Sequence, residues 1–332
     1  MTRPRRAPFM LLLMIAPFAS ACAQTTIAPR QQAVPLAVRG STATVEIAPV
    51  LLAARDHFPE GAEVRNGGIA NLVGAAPVAG LGDGSPADVA THAETQALRY
   101  SVAHPDIRII LTVTEGYYRI VARRSAGISE IADLKGKRIA AIPTTSSGYF
   151  LARMLAQAGL GTGDVKIVRV SPIADMATAL ARGDVDAVAI WEPHSGNAAQ
   201  ALGNDLVEFG GRGIYREMFN LNTTADNLAN PERRARIVAF VRAIMNATDA
   251  LNTDPRQAQA LVAHTAGFTS DEVARSWPYL GFRASLPADL LDVLTEEEEW
   301  LAVQEGRPAR GRAELGRLID RTVYEEAAKA RH

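Results

Sequence analysis

Apolar and polar residues follow two different rhythms along this chain, and together they predict an α/β protein. The mainly apolar runs 139–142 and 185–190 are typical of strands buried on both faces of a sheet. Between residues 150 and 158, apolar side chains recur every three or four positions, which is the spacing of an amphipathic helix. That helix is expected to stop at Gly159, since glycine commonly follows a helix end.

The same rules predict further elements. Strands are expected at 34–38, 62–65, 88–90, 107–113 and 118–122, and helices at 49–56, at 91–103 and from Ser171–Pro172 to Gly183. Helical structure is expected from residue 223 to the end, with Asn230 capping its first helix. Thr91 with Glu94, and Thr269 with Glu272, have the spacing of a capping box.

Length and composition are those of a two-domain globular protein. The chain has 332 residues, which is more than a domain with a single hydrophobic core usually contains. Its hydrophobic fraction of 48% suffices for two such cores. Its 35 Lys and Arg residues nearly balance its 36 Asp and Glu residues. Because nucleic-acid surfaces and polybasic membrane patches need an excess of positive charge, neither kind of partner is expected.

The N-terminus has the layout of a secretory signal peptide, predicted to span residues 1–23. Three arginines precede the apolar run 9–18, which leads into the small residues 19–23. That run is shorter than the ~20 residues that a membrane-spanning helix needs. The mature chain is therefore expected to be exported, to the periplasm or to the cell surface.

Cys22 is the only cysteine, so an internal disulfide is excluded. It follows Ala19, Ser20 and Ala21, a sequence that resembles a bacterial lipobox except that Ala19 stands where leucine is usual. Two interpretations stay open. In the first, lipidation of Cys22 anchors the protein to a membrane. In the second, a peptidase simply cleaves after Ala21 or Ala23.

Four short motifs occur in a fixed order between residues 134 and 193. They are Leu134–Lys135–Gly136–Lys137, Thr145–Ser146–Ser147, Gly183–Asp184–Val185–Asp186–Ala187 and Trp191–Glu192–Pro193. In this order they resemble the periplasmic substrate-binding proteins of ABC importers for nitrate, taurine, aliphatic sulfonates and the pyrimidine precursor of thiamine. The resemblance extends over roughly residues 34–250.

The resemblance implies a type II periplasmic binding protein fold, in which two lobes with mostly parallel sheets are joined by a two-strand hinge. Lobe one would comprise residues 30–121 plus 222–332, and lobe two residues 122–221. It also implies a monomer that binds a small molecule by lobe closure and delivers it to a membrane permease with its ATPase. No cofactor is implied.

Candidate ligand contacts lie where predicted strands end, because open α/β sheets bind ligands at the carboxyl ends of their strands. Hydroxyls and free amides at a helix start suit an oxyanion, and an indole can form one wall of a cleft. The candidates are Thr42, Thr44, Thr91, His92, Glu94, Thr145, Ser146, Ser147, Trp191 and Glu192.

These candidates also have structural interpretations. The hydroxyls of residues 145–147 could only cap the helix, and Trp191 could belong to the core. Glu192 could form an ordinary ion pair, and Glu94 could serve only its capping box. Glu46, in the loop after the first strand, is a hypothetical partner for a ligand amine, which would suit a zwitterion of the taurine kind.

Other patterns argue against metals, cofactors and catalysis. The six histidines lack the spacing of a metal site, and no nearby cysteine can assist them. Gly82–Asp83–Gly84 does not follow the strand-glycine-helix pattern of a phosphate loop, and no Gly-x-Ser-x-Gly elbow occurs. The four glutamates 296–299 are interpreted as a solvated helix face.

The expected function is therefore non-enzymatic capture of a small organic anion or zwitterion, such as a sulfonate, taurine or nitrate. One alternative ligand is a nitrogen heterocycle such as the thiamine-pyrimidine precursor, stacked on Trp191 or on a tyrosine (Tyr117, Tyr118 or Tyr149). Two alternatives of another class are a ligand-sensing domain and a pyrimidine-synthesising enzyme of the same fold, whose cysteine-rich motif this sequence lacks.

Overall fold

The computed structural model describes residues 1–2, 34–76 and 84–331. The described residues 34–331 belong to one compact unit, which contains every strand and helix discussed below. Except for residues 1–2, the predicted signal peptide lies outside the described residues, as does Cys22.

Strands and helices alternate through most of this unit. The strands are β1 (Leu36–Gly40), β2 (Ala62–Asn66), β3 (Val89–Ala93), β4 (Ile107–Gly116), β5 (Arg119–Arg123), β6 (Arg138–Ala140), β7 (Lys166–Val168), β8 (Ala187–Ile190), β9 (Leu206–Gly210), β10 (Glu217–Thr224) and β11 (Leu280–Ser285). The helices are α1 (Ala48–Leu52), α2 (Ile69–Val73), α3 (Glu94–Ser101), α4 (Ser146–Ala156), α5 (Met176–Arg182), α6 (His194–Leu202), α7 (Ala225–Ala229), α8 (Pro231–Thr253), α9 (Arg256–Ala266), α10 (Ser270–Ser276), α11 (Leu290–Glu305), α12 (Arg312–Leu315) and α13 (Arg321–Lys329). A π-helical turn, Ala53–His57, continues α1.

The larger sheet has six strands in the order β2-β1-β3-β10-β4-β11. β1 pairs in parallel with β2 and with β3. β10 is antiparallel to both β3 and β4, and β11 is antiparallel to β4. The first three strands of the chain thus form a parallel group, and the other three strands add antiparallel pairs.

The smaller sheet has five strands in the order β7-β6-β8-β5-β9. β6 is parallel to β7 and β8, whereas β5 is antiparallel to β8 and β9. The predicted α/β class is confirmed, but both sheets are mixed rather than mostly parallel. The reason is that the chain comes to β5 and to β10 directly from a strand of the other sheet. Neither strand follows a helix that crosses its own sheet, so neither is parallel to its neighbours.

The chain passes between the two sheets twice. It leaves β4 at Gly116 and enters β5 at Arg119, and it returns from β9 at Gly210 to β10 at Glu217. The two crossings adjoin each other, since Gly116 pairs with Glu217 where β4 ends and β10 begins. Two adjacent connections therefore join the sheets, as the resemblance implies.

Apolar layers cover both faces of each sheet. Helices α1, α8, α9 and α13 cover one face of the six-stranded sheet, and α3 and α11 cover the other. On the five-stranded sheet, α4 covers one face with Phe150, Leu151, Met154 and Leu155, while α5 and α6 cover the opposite face. The apolar stripe predicted between residues 150 and 158 is therefore confirmed, although α4 itself ends at Ala156.

Two of the three predicted caps are confirmed. The side chain of Asn230 caps α8, and Thr269 forms a capping box with Glu272 at the start of α10. The box predicted for Thr91 and Glu94 is wrong, because Thr91 lies inside β3 and α3 starts directly at Glu94 without a side-chain cap. A capping hydroxyl must lie outside the helix in a loop, and the longer β3 removes that loop.

The prediction of helix from residue 223 to the end is wrong at β11. This strand lies at the edge of the six-stranded sheet, beside β4. Leu280, Phe282 and Ala284 are buried, and the residues between them are more exposed. That period-two alternation is a strand signal, which the helix signals on both sides obscured.

The glutamates 296–299 are also not a solvated face throughout, because Glu297 and Glu298 are fully buried. Burial alone would raise the pKa of Glu298, but hydrogen bonds from Arg310 and Arg307 outweigh it and lower that pKa to about 2. The closest oxygen of Glu298 to Nη2 of Arg310 lies at 2.8 Å. The two arginines lie beyond the C-terminal end of α11. Their pairing with Glu298 therefore could not be predicted from the run of four glutamates alone.

Candidate ligand-binding site

A cavity of about 130 Å³ lies between the two sheets. We call each sheet, together with the helices and loops that adjoin it, one half of the molecule. The half built on the six-stranded sheet contributes these residues to the wall: Ser41, Ala43, Thr44, Glu46, His92, Ala93, Gln96, Glu217 and Phe219. Elements of the five-stranded half supply Ile142, Thr145, Ser146, Ile173, Trp191 and His194. A molecule in this space would therefore touch both halves.

Much of the wall comes from segments that follow the carboxyl ends of strands. The loop 41–47 follows β1, and α3 follows β3 in the six-stranded half. In the five-stranded half, the turn 141–145 follows β6 and Trp191 follows β8. Because neighbouring parallel strands end at the same edge of a sheet, these segments converge.

The cavity wall divides the predicted contacts into two equal groups. Thr44, His92, Thr145, Ser146 and Trp191 line it. Thr42, Thr91, Glu94, Ser147 and Glu192 do not, and all of these except Thr42 are buried. The predicted segments adjoin the cavity, but adjacent side chains on one segment face different surroundings.

The hydroxyl turn Thr145–Ser146–Ser147 opens α4. Oγ1 of Thr145 donates to the carbonyl of Ile142 at 2.9 Å and accepts the N–H of Ser147 at 3.3 Å. The hydroxyl of Ser147 donates to the carbonyl of Ala189 at 2.7 Å and accepts the N–H of Ile142 at 3.1 Å. Ser147 thus ties α4 to the segments around β6 and β8, whereas Thr145 and Ser146 line the cavity.

Ser146 also contacts the first crossing between the sheets. Its Oγ lies 3.1 Å from the hydroxyl oxygen of Tyr118, and either group can donate. Tyr118 packs edge-on against Phe150 and Tyr215, with ring centroids 5.6 and 5.8 Å away. An aromatic cluster therefore supports the crossing directly behind the hydroxyl turn.

Trp191 fits both interpretations that the sequence left open. It is half-buried, and it packs against the apolar layers on both faces of the five-stranded sheet. The same side chain lines the cavity. Trp191 therefore completes the core and also forms part of the wall, to which Phe219 and His92 of the other half contribute as well.

His92 and His194 give the cavity imidazoles but no positive charge at neutral pH. Burial lowers the pKa of both side chains to about 4. Nδ1 of His92 accepts the N–H of Ile69 at 3.4 Å, which leaves Nε2 as its N–H donor. Both histidines therefore act as neutral hydrogen-bonding groups.

Glu46 and Glu217 place two carboxyl groups in the wall. They are 2% and 4% exposed, and Oε2 of each has no hydrogen-bond partner within the described structure. Burial raises the pKa of Glu46 to about 7, and burial and the charge of Glu46 raise the pKa of Glu217 well above its ordinary value. Glu217 was not a sequence candidate, although a charged residue beginning a fully buried strand was an available signal.

More carboxyl groups lie behind this wall. The hydroxyl of Tyr215 donates to Oε1 of Glu94 at 2.6 Å, and the N–H of Met218 donates to Oε2 at 2.8 Å. Thr95 donates to Glu297 at 2.8 Å. Burial raises the pKa of Glu94 to about 7 and that of Glu297 well above its ordinary value. Glu94 therefore anchors the second crossing.

Glu192 forms the ion pair that was the alternative interpretation of this residue. Its Oε1 lies 3.0 Å from Nη2 of Arg119, and both side chains are 5% exposed. The hydroxyl of Ser276 donates to Oε2 of Glu192 at 3.3 Å. The guanidinium of Arg119 lies 3.5 Å from the ring centroid of Tyr279. Ser276 and Tyr279 follow β10 in the chain, so the pair joins the two halves.

Hydrogen bonds also bridge the two halves. Nε2 of Gln96, on α3, donates to the carbonyl of Thr144 at 3.1 Å. Nδ2 of Asn197, on α6, donates to Glu272, on α10, at 2.7 Å. These bonds can form only while the halves lie close together, so the structure has a closed arrangement.

Within residues 34–76 and 84–331, no group of three or more His, Cys, Asp or Glu side chains is arranged to hold a metal ion. None of the helices in these ranges is both long enough and apolar enough to cross a bilayer.

Two mixed α/β sheets, a double crossing and a cavity between them define the periplasmic binding protein fold. The alkanesulfonate-binding protein SsuA from Xanthomonas axonopodis pv. citri, bound to MOPS, matches with a TM-score of 0.67 and 21% identity, over 87% of this chain and 98% of that one. The desulfurization enzyme DSZB matches with a TM-score of 0.60 and 16% identity, over 90% of this chain and 100% of that one. At these identities the likeness is one of fold.

The chain belongs to the NMT1/THI5-like family, which its residues 76–258 match. An Escherichia coli (strain K12) protein, named for binding aliphatic sulfonates, is 33% identical over 160 residues. That alignment covers 47% of this chain and 47% of the relative, so it spans about half the length of each. The family resemblance seen in the sequence is confirmed.

Proposed function

We propose that this protein is the extracytoplasmic solute-binding protein of an ABC importer. It captures a small organic solute in the cavity between the two sheets, closes around it, and presents it to a membrane permease that works with an ATPase. It acts as a monomer in the periplasm or at the cell surface, with Cys22 as the candidate site of a lipid anchor. No nucleic acid takes part.

The observation that carries this proposal is a cavity whose wall comes from both halves. Thr44 and His92 contribute from the six-stranded half, and Ser146 and Trp191 from the five-stranded half. A solute that contacts both halves binds the closed form better than the open form, and it therefore shifts the population toward closure. A permease can recognise the closed form by its shape.

The family relation and the cavity support different parts of the predicted ligand range. Relatives and structural neighbours named for sulfonates support a sulfonate or a compound such as taurine. The carboxyl groups of Glu46 and Glu217 favour a solute that also carries an amine over nitrate or a simple sulfonate. A nitrogen heterocycle is the second candidate, because Trp191 and Phe219 offer it apolar walls.

Binding without catalysis agrees with the residues of the wall. The described residues that form it include no cysteine or lysine, and the hydroxyls of Thr145 and Ser146 bond to Ile142 and Tyr118 rather than to a histidine. Neither of these two hydroxyls is therefore activated as a nucleophile by a histidine. A sensing role would use the same cavity with another partner, so a neighbouring kinase or cyclase gene would favour sensing and a permease and ATPase gene pair would favour import.

A thermal-shift screen of the full chain tests the proposal. The compounds are alkanesulfonates, taurine, nitrate, pyrimidines and amines, since a solute that binds only the folded state raises the melting temperature. We expect at least one class to raise it and to change tryptophan fluorescence. No shift and no fluorescence change with any class would overturn the proposal.

Two matched variants locate the response. Trp191→Phe should abolish most of the fluorescence change, because this indole lines the cavity. Trp277→Phe should preserve it, because Trp277 packs on Phe282 with 4.5 Å between ring centroids and is not part of the wall. A response that is lost in Trp277→Phe and kept in Trp191→Phe would place the solute elsewhere.

A further inference from the structure

We propose that Glu46 and Glu217 form a recognition site for a protonated nitrogen, so that the solute is a small organic amine or other basic nitrogen compound without net negative charge. This inference rests on the proposed function, since it assigns the solute class of the same cavity. The relatives are named for sulfonates, which are anions, whereas the residues of this cavity wall favour a cation for three reasons.

The first reason is that both carboxyl groups are buried and incompletely bonded. Oε2 of Glu46 and Oε2 of Glu217 have no hydrogen-bond partner within the described structure, although the side chains are only 2% and 4% exposed. Both residues line the cavity. A buried polar oxygen without a partner is costly, and a positive charge in the cavity beside the two carboxyl groups would offset that cost.

The second reason is the absence of positive charge from the wall. None of the described residues that line the cavity is a lysine or an arginine. The two histidines there, His92 and His194, are neutral at neutral pH because burial lowers their pKa to about 4. An anion would therefore meet two carboxyl groups without a compensating cation, which is unfavourable in a desolvated site.

The third reason concerns the start of α4, where an anion was expected to bind. The N–H of Ser147 bonds to Oγ1 of Thr145, and the N–H groups of Gly148 and Tyr149 bond to the carbonyl of Thr145 at 2.9 and 3.2 Å. The hydroxyl of Ser146 is engaged with Tyr118. Most of the donors that make a helix start attractive to an anion are thus already used.

The remaining wall suits the body of such a solute. Ile142, Ile173, Trp191 and Phe219 present apolar and aromatic surface. An aliphatic or flat ring body can bury against these side chains, and the face of an indole additionally attracts a cation. The cavity thus combines a carboxyl end with an apolar enclosure.

The surroundings of the two carboxyl groups predict how binding depends on pH. Glu217 faces Glu46, Glu94, Glu297 and the hydroxyl of Tyr118, and Glu46 faces Glu192, which is paired with Arg119. Apart from the paired Glu192, these neighbours are carboxyl groups and a phenol rather than cations, so Glu46 and Glu217 hold protons at neutral pH more than ordinary glutamates do. Binding of a cation should therefore release protons from the two carboxyl groups, whereas binding of an anion should cause further protons to be taken up.

The first test uses pairs of probes that share one body and differ only in the charged group. Benzylamine is compared with phenylmethanesulfonate, and butylamine with butane-1-sulfonate, by calorimetry on the full chain. We expect the amines to bind and the sulfonates to bind at least ~10-fold more weakly. Tighter binding of the sulfonates would overturn the inference and leave the proposed function standing. Failure of both probe classes and of the wider screen would overturn both.

The second test counts protons in buffers of different ionisation enthalpy. Amine binding at pH 7 should release up to roughly one proton, and its Kd should fall as the pH rises. Proton uptake, or a Kd that rises with pH, would contradict recognition of a cation. This measurement uses the unaltered protein and does not depend on the folding of a variant.

The third test replaces each carboxyl group by its amide. Glu46→Gln and Glu217→Gln should each raise the Kd of the amine about tenfold or more and reduce proton release. Glu325→Gln, at an exposed position on α13, is the matched control and should change neither. Retention of affinity and proton release in both cavity variants would overturn the inference.

Discussion

The hydroxyl of Tyr215 lies 2.6 Å from Oε1 of Glu94 and donates a hydrogen bond to it. Tyr215 belongs to the second crossing, between β9 and β10, whereas Glu94 begins α3 on the six-stranded sheet. Oε2 of Glu94 accepts the N–H of Met218, the second residue of β10. A single buried carboxyl group therefore fixes the point at which the chain re-enters the larger sheet.

Tyr215→Phe is expected to lower the free energy of unfolding by about 1–3 kcal/mol, because Glu94 would keep only one of its two partners in a buried place. Urea denaturation measures this loss. Tyr324→Phe is the control, since Tyr324 is half-buried and its hydroxyl has no partner in the part of the chain that the structure describes. Similar losses in the two variants would show that the bond to Glu94 contributes nothing particular.

Ser146 and Ser147 are expected to respond differently to alanine. Ser147→Ala removes the hydroxyl that joins Ile142 to Ala189, so it should cost about 1–3 kcal/mol of unfolding free energy. Ser146→Ala should cost less stability and should instead weaken solute binding, because only Ser146 of this pair lines the cavity. Thermal melts and calorimetry separate the two effects, and a larger stability loss in Ser146→Ala would contradict this assignment.

Above pH 6.5, the free energy of unfolding is expected to fall as the pH rises. Burial raises the pKa of Glu217 and Glu297 well above 4.5, so the folded state holds protons that the unfolded chain has released. Stability then decreases with pH, since it increases only where the unfolded state binds more protons. His92 and His194, with pKa lowered from 6.5 to about 4, act in the opposite direction, but only below pH 6.5.

The variant Glu297→Gln checks the source of this slope. It should make the fall in unfolding free energy between pH 6.5 and about 8.5 measurably shallower, because one of the four buried carboxyl groups with a raised pKa, Glu46, Glu94, Glu217 and Glu297, is gone. Glu299→Gln, at an exposed position on the same helix, should leave the slope unchanged. A slope that is the same in both variants and in the parent would refute the buried-carboxyl explanation.

The hydrogen bond between Asn197 and Glu272 is expected to favour the closed arrangement. Asn197→Ala should raise the Kd of a bound solute about threefold to tenfold, because part of the free energy that holds the halves together is lost. Asn204→Ala, at an exposed position in the same half, should have no such effect. Small-angle scattering should show a larger radius of gyration for unliganded Asn197→Ala, and an unchanged radius with an unchanged Kd would contradict the prediction.

Much of the fold could be predicted because its signals are local. The α4 stripe and the caps Asn230 and Thr269 depend on residues within a few positions of each other, and all three were confirmed. The antiparallel pairs of β10 and β11 depend instead on strands far apart in the chain. No periodicity specifies such pairings, so the mixed sheets were not expected.

The cavity was predictable by segment but not by side chain. Thr91 and His92 are neighbours on β3, yet only His92 of the two lines the cavity, whereas Thr91 is fully buried. Glu94 was assigned to a capping box, whereas its partners Tyr215 and Met218 lie in a distant segment. Long-range partners of this kind become visible only when the chain is folded.

Thr145 accepts hydrogen bonds from the amides of residues 147–149 at the start of α4, which has a consequence for the evolution of this protein. Recognition of the solute is left to side chains, and side chains can be exchanged one at a time without rebuilding the main chain. In related proteins, a few substitutions around Glu46 and Glu217 could therefore change the solute that is bound. The backbone and the surface that contacts the permease would stay the same.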